Sequence, residues 1–212
     1  MIIGIPIYEK VDLLDVAAPY EIFNSMKQFD PKLKAEVYLI AEKARGVSTR
    51  DGLTMKPQKL FADVPKLDVL WVPGGDPSAL TKIMNDKRRT YLDFLITRSK
   101  NARYVASVCE GAMLLAKAGL LDGYNATTHW AFINCLKQYT AINVVEGYPR
   151  FVVDRNRVTG GGISSGLDEA LKLVELLSST EVAQQVQQYT QYYPCPPVTS
   201  KIPGPGKCPL DS

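Results

Sequence analysis

Short, uninterrupted apolar runs, each followed by a stretch with helical spacing, constrain the fold of this chain more than any other feature. Ile2 to Tyr8, Glu36 to Ala41, Leu67 to Pro73 and Arg103 to Val108 are such runs, and they read as strands buried on both faces of a parallel sheet. Between and after them, Asp15 to Phe29 carries Val16, Tyr20 and Phe23 at helical spacing, and Arg88 to Ser99, Glu110 to Ala118, Trp130 to about Tyr139, Gly166 to Leu177 and Glu181 to Tyr192 also read as helices. Tyr124 to Thr127 is a further short strand. Two hairpins complete the pattern, Val47 to Lys56 with Asp51-Gly52 at its turn, and Phe151 to Thr159 turning at Arg155-Asn156. Alternating strands and helices imply an α/β fold, a doubly wound sandwich with a mostly parallel sheet covered on both faces. Right-handed crossovers then place the carboxyl ends of the strands on one edge, where open sheets of this kind bind ligands. The segment after Tyr8, the loop Pro73-Gly74-Gly75 and Cys109 all lie at such ends and are expected to converge.

Composition narrows the class of function. With 46% hydrophobic residues the chain can bury a core and is not disordered as a whole. Lys+Arg 25 against Asp+Glu 22, interleaved along the chain, leave a net charge of +3 and no basic stripe, so nucleic acid is not an expected partner. No apolar run reaches the length of a membrane span, and the first residues lack the basic start of a signal peptide; cytoplasmic placement is the expectation. Cys109, Cys135, Cys195 and Cys208 are too widely spaced for a C-x-x-C zinc pairing, and reduced thiols are expected. A single histidine, His129, excludes any site that needs two. Six of the fourteen prolines fall between Pro194 and Pro209, so residues 194–212 form an extended Pro-rich arm on a domain of residues 1–193. Such an arm frays or lies on another surface, a second subunit included.

The chemistry concentrates at one junction. Cys109 ends a strand and Glu110 opens a helix with almost no turn between them, the topology of a nucleophile elbow, with Gly111 leaving room for close packing. Free N–H groups at a helix start favour a thiolate, so the sulfur is expected to be ionised, with its pKa lowered, and reachable; the alternative is an inert buried cysteine. Gly75 and the residue after the cysteine, Glu110, can supply backbone N–H donors to an atom bonded to that sulfur, whereas a plain loop is the other reading of Pro73-Gly74-Gly75. Asp15 opens the first helix and reads either as its N-cap or as a carboxyl with a raised pKa held beside the sulfur. Glu110 either points to solvent, where its charge suits the helix start, or faces the sulfur and opposes its ionisation.

Leu14-Asp15-x-x-x-Pro19-x-Glu21-x-Phe23, Pro73-Gly74-Gly75, Ser107-Val108-Cys109-x-Gly111, Ala126-Thr127-Thr128-His129-Trp130 and Gly160-Gly161-Gly162-Ile163-Ser164-Ser165-Gly166-Leu167-Asp168 occur in this order. Together they resemble the ThiJ/PfpI superfamily, a class I glutamine amidotransferase-like group, over residues 1 to 193, and within it the isonitrile hydratases. The resemblance implies a homodimeric, flavodoxin-like α/β sandwich with Cys109 as nucleophile and Asp15 as the neighbouring acid. It implies Gly75 and Glu110 as backbone donors, and His129 and Gly74 at the substrate pocket. The implied reaction hydrates a small apolar isonitrile to an N-substituted formamide through a Cys109 thioimidate, with no metal or organic cofactor, Asp15 relaying the proton and then activating water. Hydratases carry Thr where this chain has Glu110, and protease-like branches carry His, so a Cys-His dyad is not expected. The rival readings are a glyoxalase or deglycase acting on reactive carbonyls, a redox or stress sensor, and a regulatory module of the kind followed by a helix-turn-helix region, which the Pro-rich arm after Tyr193 is not.

Overall fold

Residues 1–211 are described by a computed structural model, and its strands are β1 (Ile2–Pro6), β2 (Glu36–Ala41), β3 (Val47–Ser48), β4 (Thr54–Met55), β5 (Lys59–Leu60), β6 (Val69–Val72), β7 (Tyr104–Ser107), β8 (Asn125–Ala126), β9 (Asn143–Val144), β10 (Phe151–Asp154) and β11 (Arg157–Gly160). The α-helices are α1 (Leu13–Phe29), α2 (Pro77–Met84), α3 (Thr90–Ser99), α4 (Gly111–Lys117), α5 (Ile133–Leu136), α6 (Ser165–Leu177) and α7 (Thr180–Tyr189). Seven strands form the central sheet in the order β10-β11-β7-β6-β1-β2-β5. Only β10 runs antiparallel in it, paired to β11 through the turn at Arg155-Asn156. This is the mostly parallel sandwich of the flavodoxin kind. The chain leaves β1 toward β2 on one side and returns to β6 on the other, so the strand order reverses between β1 and β6. Such a switch point is where open sheets of this kind place a ligand site.

Three of the four long apolar runs are buried as their patterning demands: Ile3, Ile5, Val69, Leu70, Trp71, Val72, Val105 and Ala106 are all 0% exposed, whereas β2, one strand from the sheet edge, leaves Glu36 exposed and Tyr38 and Leu39 half-buried. Trp71 and Phe23 of α1 meet edge to face at 5.7 Å, which locks α1 to the middle of the sheet. Pro19 lies inside α1. A proline has no N–H to close the bond to the carbonyl four residues back, here that of Asp15. Trp71 Nε1 donates to that carbonyl at 2.9 Å. A central strand thereby satisfies the backbone group that Pro19 leaves open, and fixes the first turn of α1 where Asp15 sits.

Some elements differ from the sequence reading. The helix expected over 130–139 is a 3-10 turn at Trp130–Phe132 followed by the single-turn α5, because His129 Nδ1 accepts from Ala131 N at 3.2 Å and caps the start tightly. The strand around Asn125 pairs with β9 in a small separate sheet. Helix α2 is absent from the sequence reading, although Asp76 caps it, accepting from Ser78 N at 2.9 Å, and Pro77 occupies its first turn. The expectation of reduced thiols is corrected: Cys135 and Cys208, 73 residues apart, form a disulfide. Sequence spacing hides this pairing, since it depends on where the arm returns. Residues 194–211 have no helix or strand, yet they lie on their own subunit: Asn134 Nδ2 donates to Gly206 O at 2.9 Å and Gln138 Nε2 to Asp211 Oδ2 at 2.8 Å. Among the described residues no helix is long and apolar enough to cross a membrane.

Trp71→Phe removes the donor to the Asp15 carbonyl and should cost about 1–3 kcal/mol in urea unfolding, the penalty of an orphaned buried acceptor. In a Pro19→Ala background, where position 19 regains an N–H that can close the helical bond, the same change should cost measurably less. Equal costs in both backgrounds would show that the indole does not serve that carbonyl.

Candidate active site

Cys109 follows β7 through Val108 and adopts a left-handed backbone, φ 54°, which a side chain other than glycine holds only where its surroundings impose it. Cys109 N donates to Gly161 O at 2.8 Å, and Thr128 Oγ1 donates to Cys109 O at 2.8 Å. Gly111 starts α4 against the end of β6, where a Cβ would collide with the Val72 carbonyl. The elbow expected from Ser107-Val108-Cys109-Glu110-Gly111 is thus present, braced by the 161–163 turn and Thr128.

Around the sulfur stand three carboxyls. One ligating atom each of Asp12, Asp15, Cys109 and Glu110 lies within 4.8 Å of the others. All four side chains are buried, Asp15 and Cys109 completely. Asp15 Oδ2 accepts from Gly74 N at 2.8 Å, while Oδ1 has no hydrogen-bond partner among the described residues. Asp12 pairs with Arg50 Nη1 at 2.8 Å, so the β3–β4 hairpin brings a cation to the group. The four are residue types that can ligate a cation only once deprotonated, and Asp12 is already paired with Arg50.

Desolvation governs every proton here. Burial, with the charges of Asp15 and Glu110 beside it, pushes the Cys109 thiol well above its ordinary range; the Glu110 hydrogen bond adds to this and the Ile163 N–H opposes it. The expectation of an ionised, exposed thiol is therefore corrected, because a short helix start does not offset removal from water next to two acids. Asp15 is raised well above the usual carboxyl value by burial, then by Glu110 and Asp12, against the Gly74 N–H. Glu110 rises to about 7 through burial, held back by the thiol hydrogen bond and its own N–H. Its side chain, 6% exposed, faces the sulfur and not solvent. Burial and mutual repulsion thus push Asp15 and Cys109 toward their protonated forms, while Glu110 titrates at about 7. The group can pass a proton from sulfur to Glu110 and deliver another from Asp15.

The remaining expected residues fall as follows. Gly74 packs on the acids, and a Cβ there would meet Asp15 Oδ2 at 2.9 Å and the Glu110 carboxyl. Gly75 bridges to Val11, its Cα side facing Lys10 O and Tyr8. The Glu110 N–H serves the residue's own carboxylate. The N–H that meets the sulfur is that of Ile163, which the sequence reading does not single out although it lies in the Gly160 to Asp168 motif. Burial lowers the pKa of His129 and keeps it neutral; with Thr128, Tyr148, Gly162, Ile163 and Ile202 it lines a cavity of about 350 Å³. Tyr8, which the sequence reading also passes over, donates to Pro73 O at 3.0 Å and closes the group from the β1 side.

The model of the DJ-1/PfpI family matches residues 2–176. An isonitrile hydratase of Pseudomonas putida is 39% identical over 201 residues, 95% of this chain and 82% of that protein. A crystal structure of a ThiJ/PfpI family protein from Pseudomonas syringae superposes with a TM-score of 0.82 at 33% identity, covering 93% of this chain and 77% of the other. The HTH-type transcriptional regulator GbdR of Pseudomonas aeruginosa is 26% identical over 90% of this chain, which spans 50% of that regulator.

Because Glu110 both accepts the thiol's hydrogen bond and carries charge beside it, Glu110→Gln should lower the Cys109 pKa, read from thiolate absorbance against pH with Cys109→Ala as the blank. An unchanged titration would mean that the carboxylate does not act on the sulfur.

Proposed function

The chain belongs to the DJ-1/PfpI family, and from that premise we propose that it is an isonitrile hydratase, converting R–N≡C and water to R–NH–CHO. One observation carries the reading: a thiol placed against two carboxyls of raised pKa, in a chain alike over nearly its whole length to an isonitrile hydratase. An isonitrile's terminal carbon accepts a nucleophile and a proton at the same atom, and this site holds both within reach.

In the proposed mechanism Glu110, as carboxylate, takes the proton of Cys109 through the hydrogen bond between them. The sulfur attacks the terminal carbon while Asp15 protonates that carbon, giving the thioimidate R–N=CH–S–Cys109. Asp15, now ionised, takes a proton from water as its oxygen adds to the carbon, and Glu110 returns its proton to nitrogen. The carbon–sulfur bond then breaks, the hydroxyl proton passes through Glu110 back to sulfur, and the formamide leaves with every group restored. Ile163 N–H steadies the charge on sulfur at each end of the cycle. Gly75 remains the proposed backbone donor to the nitrogen side, the Glu110 N–H expected beside it being taken up by its own carboxylate, and Gly74 and His129 line the approach. The substrate's R group is apolar and enters through the cavity beside the elbow.

We take the enzyme to act as a homodimer on a small molecule, in the cytoplasm and without nucleic acid. The catalytic groups lie in the domain of residues 1–193, and residues 194–212 form the Pro-rich arm. Light scattering on purified protein should give twice the monomer mass.

Formamide production from cyclohexyl isonitrile tests the reading. Cys109→Ala should lose it by at least about a thousandfold and Asp15→Asn by about 10²–10⁴-fold, the usual worth of a general acid. Formamide formed at wild-type rate by Cys109→Ala ends the proposal. Glu110 works as the base only when ionised, so kcat/KM should fall as pH drops through about 7, and Glu110→Gln should lose that acid limb. A limb that persists unchanged in the variant would remove Glu110 from the mechanism.

A further inference from the structure

The Pro-rich arm ends in a covalent tie that the reaction does not use. Cys208 is bonded to Cys135 of α5, and Asn134, the preceding residue, donates to Pro205 O at 3.4 Å and Gly206 O at 2.9 Å. Six residues before Cys208, Ile202 forms part of the wall of the cavity that His129 and Ile163 also line, and the Ile163 N–H on that wall meets the buried sulfur of Cys109. Ile202 is 54% exposed in the single chain. Its backbone is held by the proline that follows, since a residue before proline is confined to extended conformations. The arm has no strand pairing of its own to keep it there.

We propose that the arm is the outer wall of the substrate cavity, that Ile202 sets the size of the group admitted, and that the Cys135–Cys208 bond holds this wall shut. The inference rests on the hydratase reading for the identity of the substrate, though not for the wall itself. A dithiol reductant opens it: the dithiol gives up two electrons and two protons, leaves as a cyclic disulfide, and Cys135 and Cys208 become thiols. In a reducing cytosol such a bond is contested by the thiol pool, which makes the width of the entrance responsive to redox state. The free Cys195 lies in the exposed part of the arm and takes no part.

The test compares alkylation of Cys109, followed by peptide mapping to separate it from Cys195, with iodoacetamide and with a bulky aryl maleimide at about pH 9, where more thiolate forms. The forms compared are wild type, Cys135→Ser/Cys208→Ser and Ile202→Ala, with dithiothreitol-treated wild type as a fourth sample after removal of reductant. The ratio of bulky to small labelling should rise about tenfold in the three altered forms, as loss of about 1.4 kcal/mol of obstruction gives. KM for a bulky isonitrile should fall in the same forms while that for methyl isonitrile stays. An unchanged labelling ratio in all three overturns the proposal, and so does a Cys109 that labels in none of them. If labelling shifts as expected and no form makes formamide, the hydratase reading fails and the wall remains.

Discussion

Three carboxyls and a thiol withdrawn from water together, with Arg50 reaching them as a counter-charge, force the proton arrangement on which the rest of this structure depends. Like charges packed this closely in a poorly polarisable interior cannot all ionise. Burial raises the pKa of Asp12 even though Arg50 pairs with it and pulls the other way; burial and the neighbouring acids push Asp15 and Cys109 toward their protonated forms, and Glu110 titrates at about 7. The surrounding backbone is arranged to suit. Gly74 N–H stabilises one Asp15 oxygen, Ile163 N–H meets the sulfur, and the indole of Trp71 anchors the carbonyl of Asp15 from below. A thiol kept neutral until a base takes its proton is suited to a substrate that needs sulfur and hydrogen on the same carbon.

Much of the scaffold was legible because apolar burial leaves a plain trace. The runs at Ile2, Glu36, Leu67 and Arg103 had to be central strands, and the Asp51-Gly52 and Arg155-Asn156 turns appear at the expected hairpins, with Gly52 at φ 92° and Arg155 at φ 54°. The elbow was legible for the same reason, a strand running into a helix with no residues to spare. Proton states were not. A helix start argues for a thiolate when solvent is near, and the sequence carries no record of how dry a junction becomes once β6, α1 and the 161–163 turn close on it. Glu110 shows the point most sharply: on an open helix it would face water, and here its side chain is turned inward onto sulfur. The Asp15 to Pro19 spacing held a signal whose meaning needed the structure, since only the position of Trp71 shows what donates to the carbonyl that the proline frees.

Long-range features stayed hidden for a different reason. A disulfide between a mid-chain helix and a proline arm leaves no periodicity, and Cys208 reads as an incidental residue until the path of the arm is known. Yet the stiffness that made the arm unreadable as helix or strand is what lets six residues carry the chain from Ile202 at the cavity wall to the disulfide. The same family scaffold accompanies regulators as well as enzymes, as the matches show, so chemistry in this chain has to be argued from the sulfur and its acids and not from the fold.

The most direct test of that chemistry is intact-mass spectrometry of the protein quenched in acid within milliseconds to seconds of mixing with an isonitrile, with peptide mapping of any adduct. A transient gain equal to the mass of the isonitrile, located on Cys109 and decaying as formamide accumulates, is the predicted result. Steady formamide production with no adduct on that sulfur at any time would contradict it.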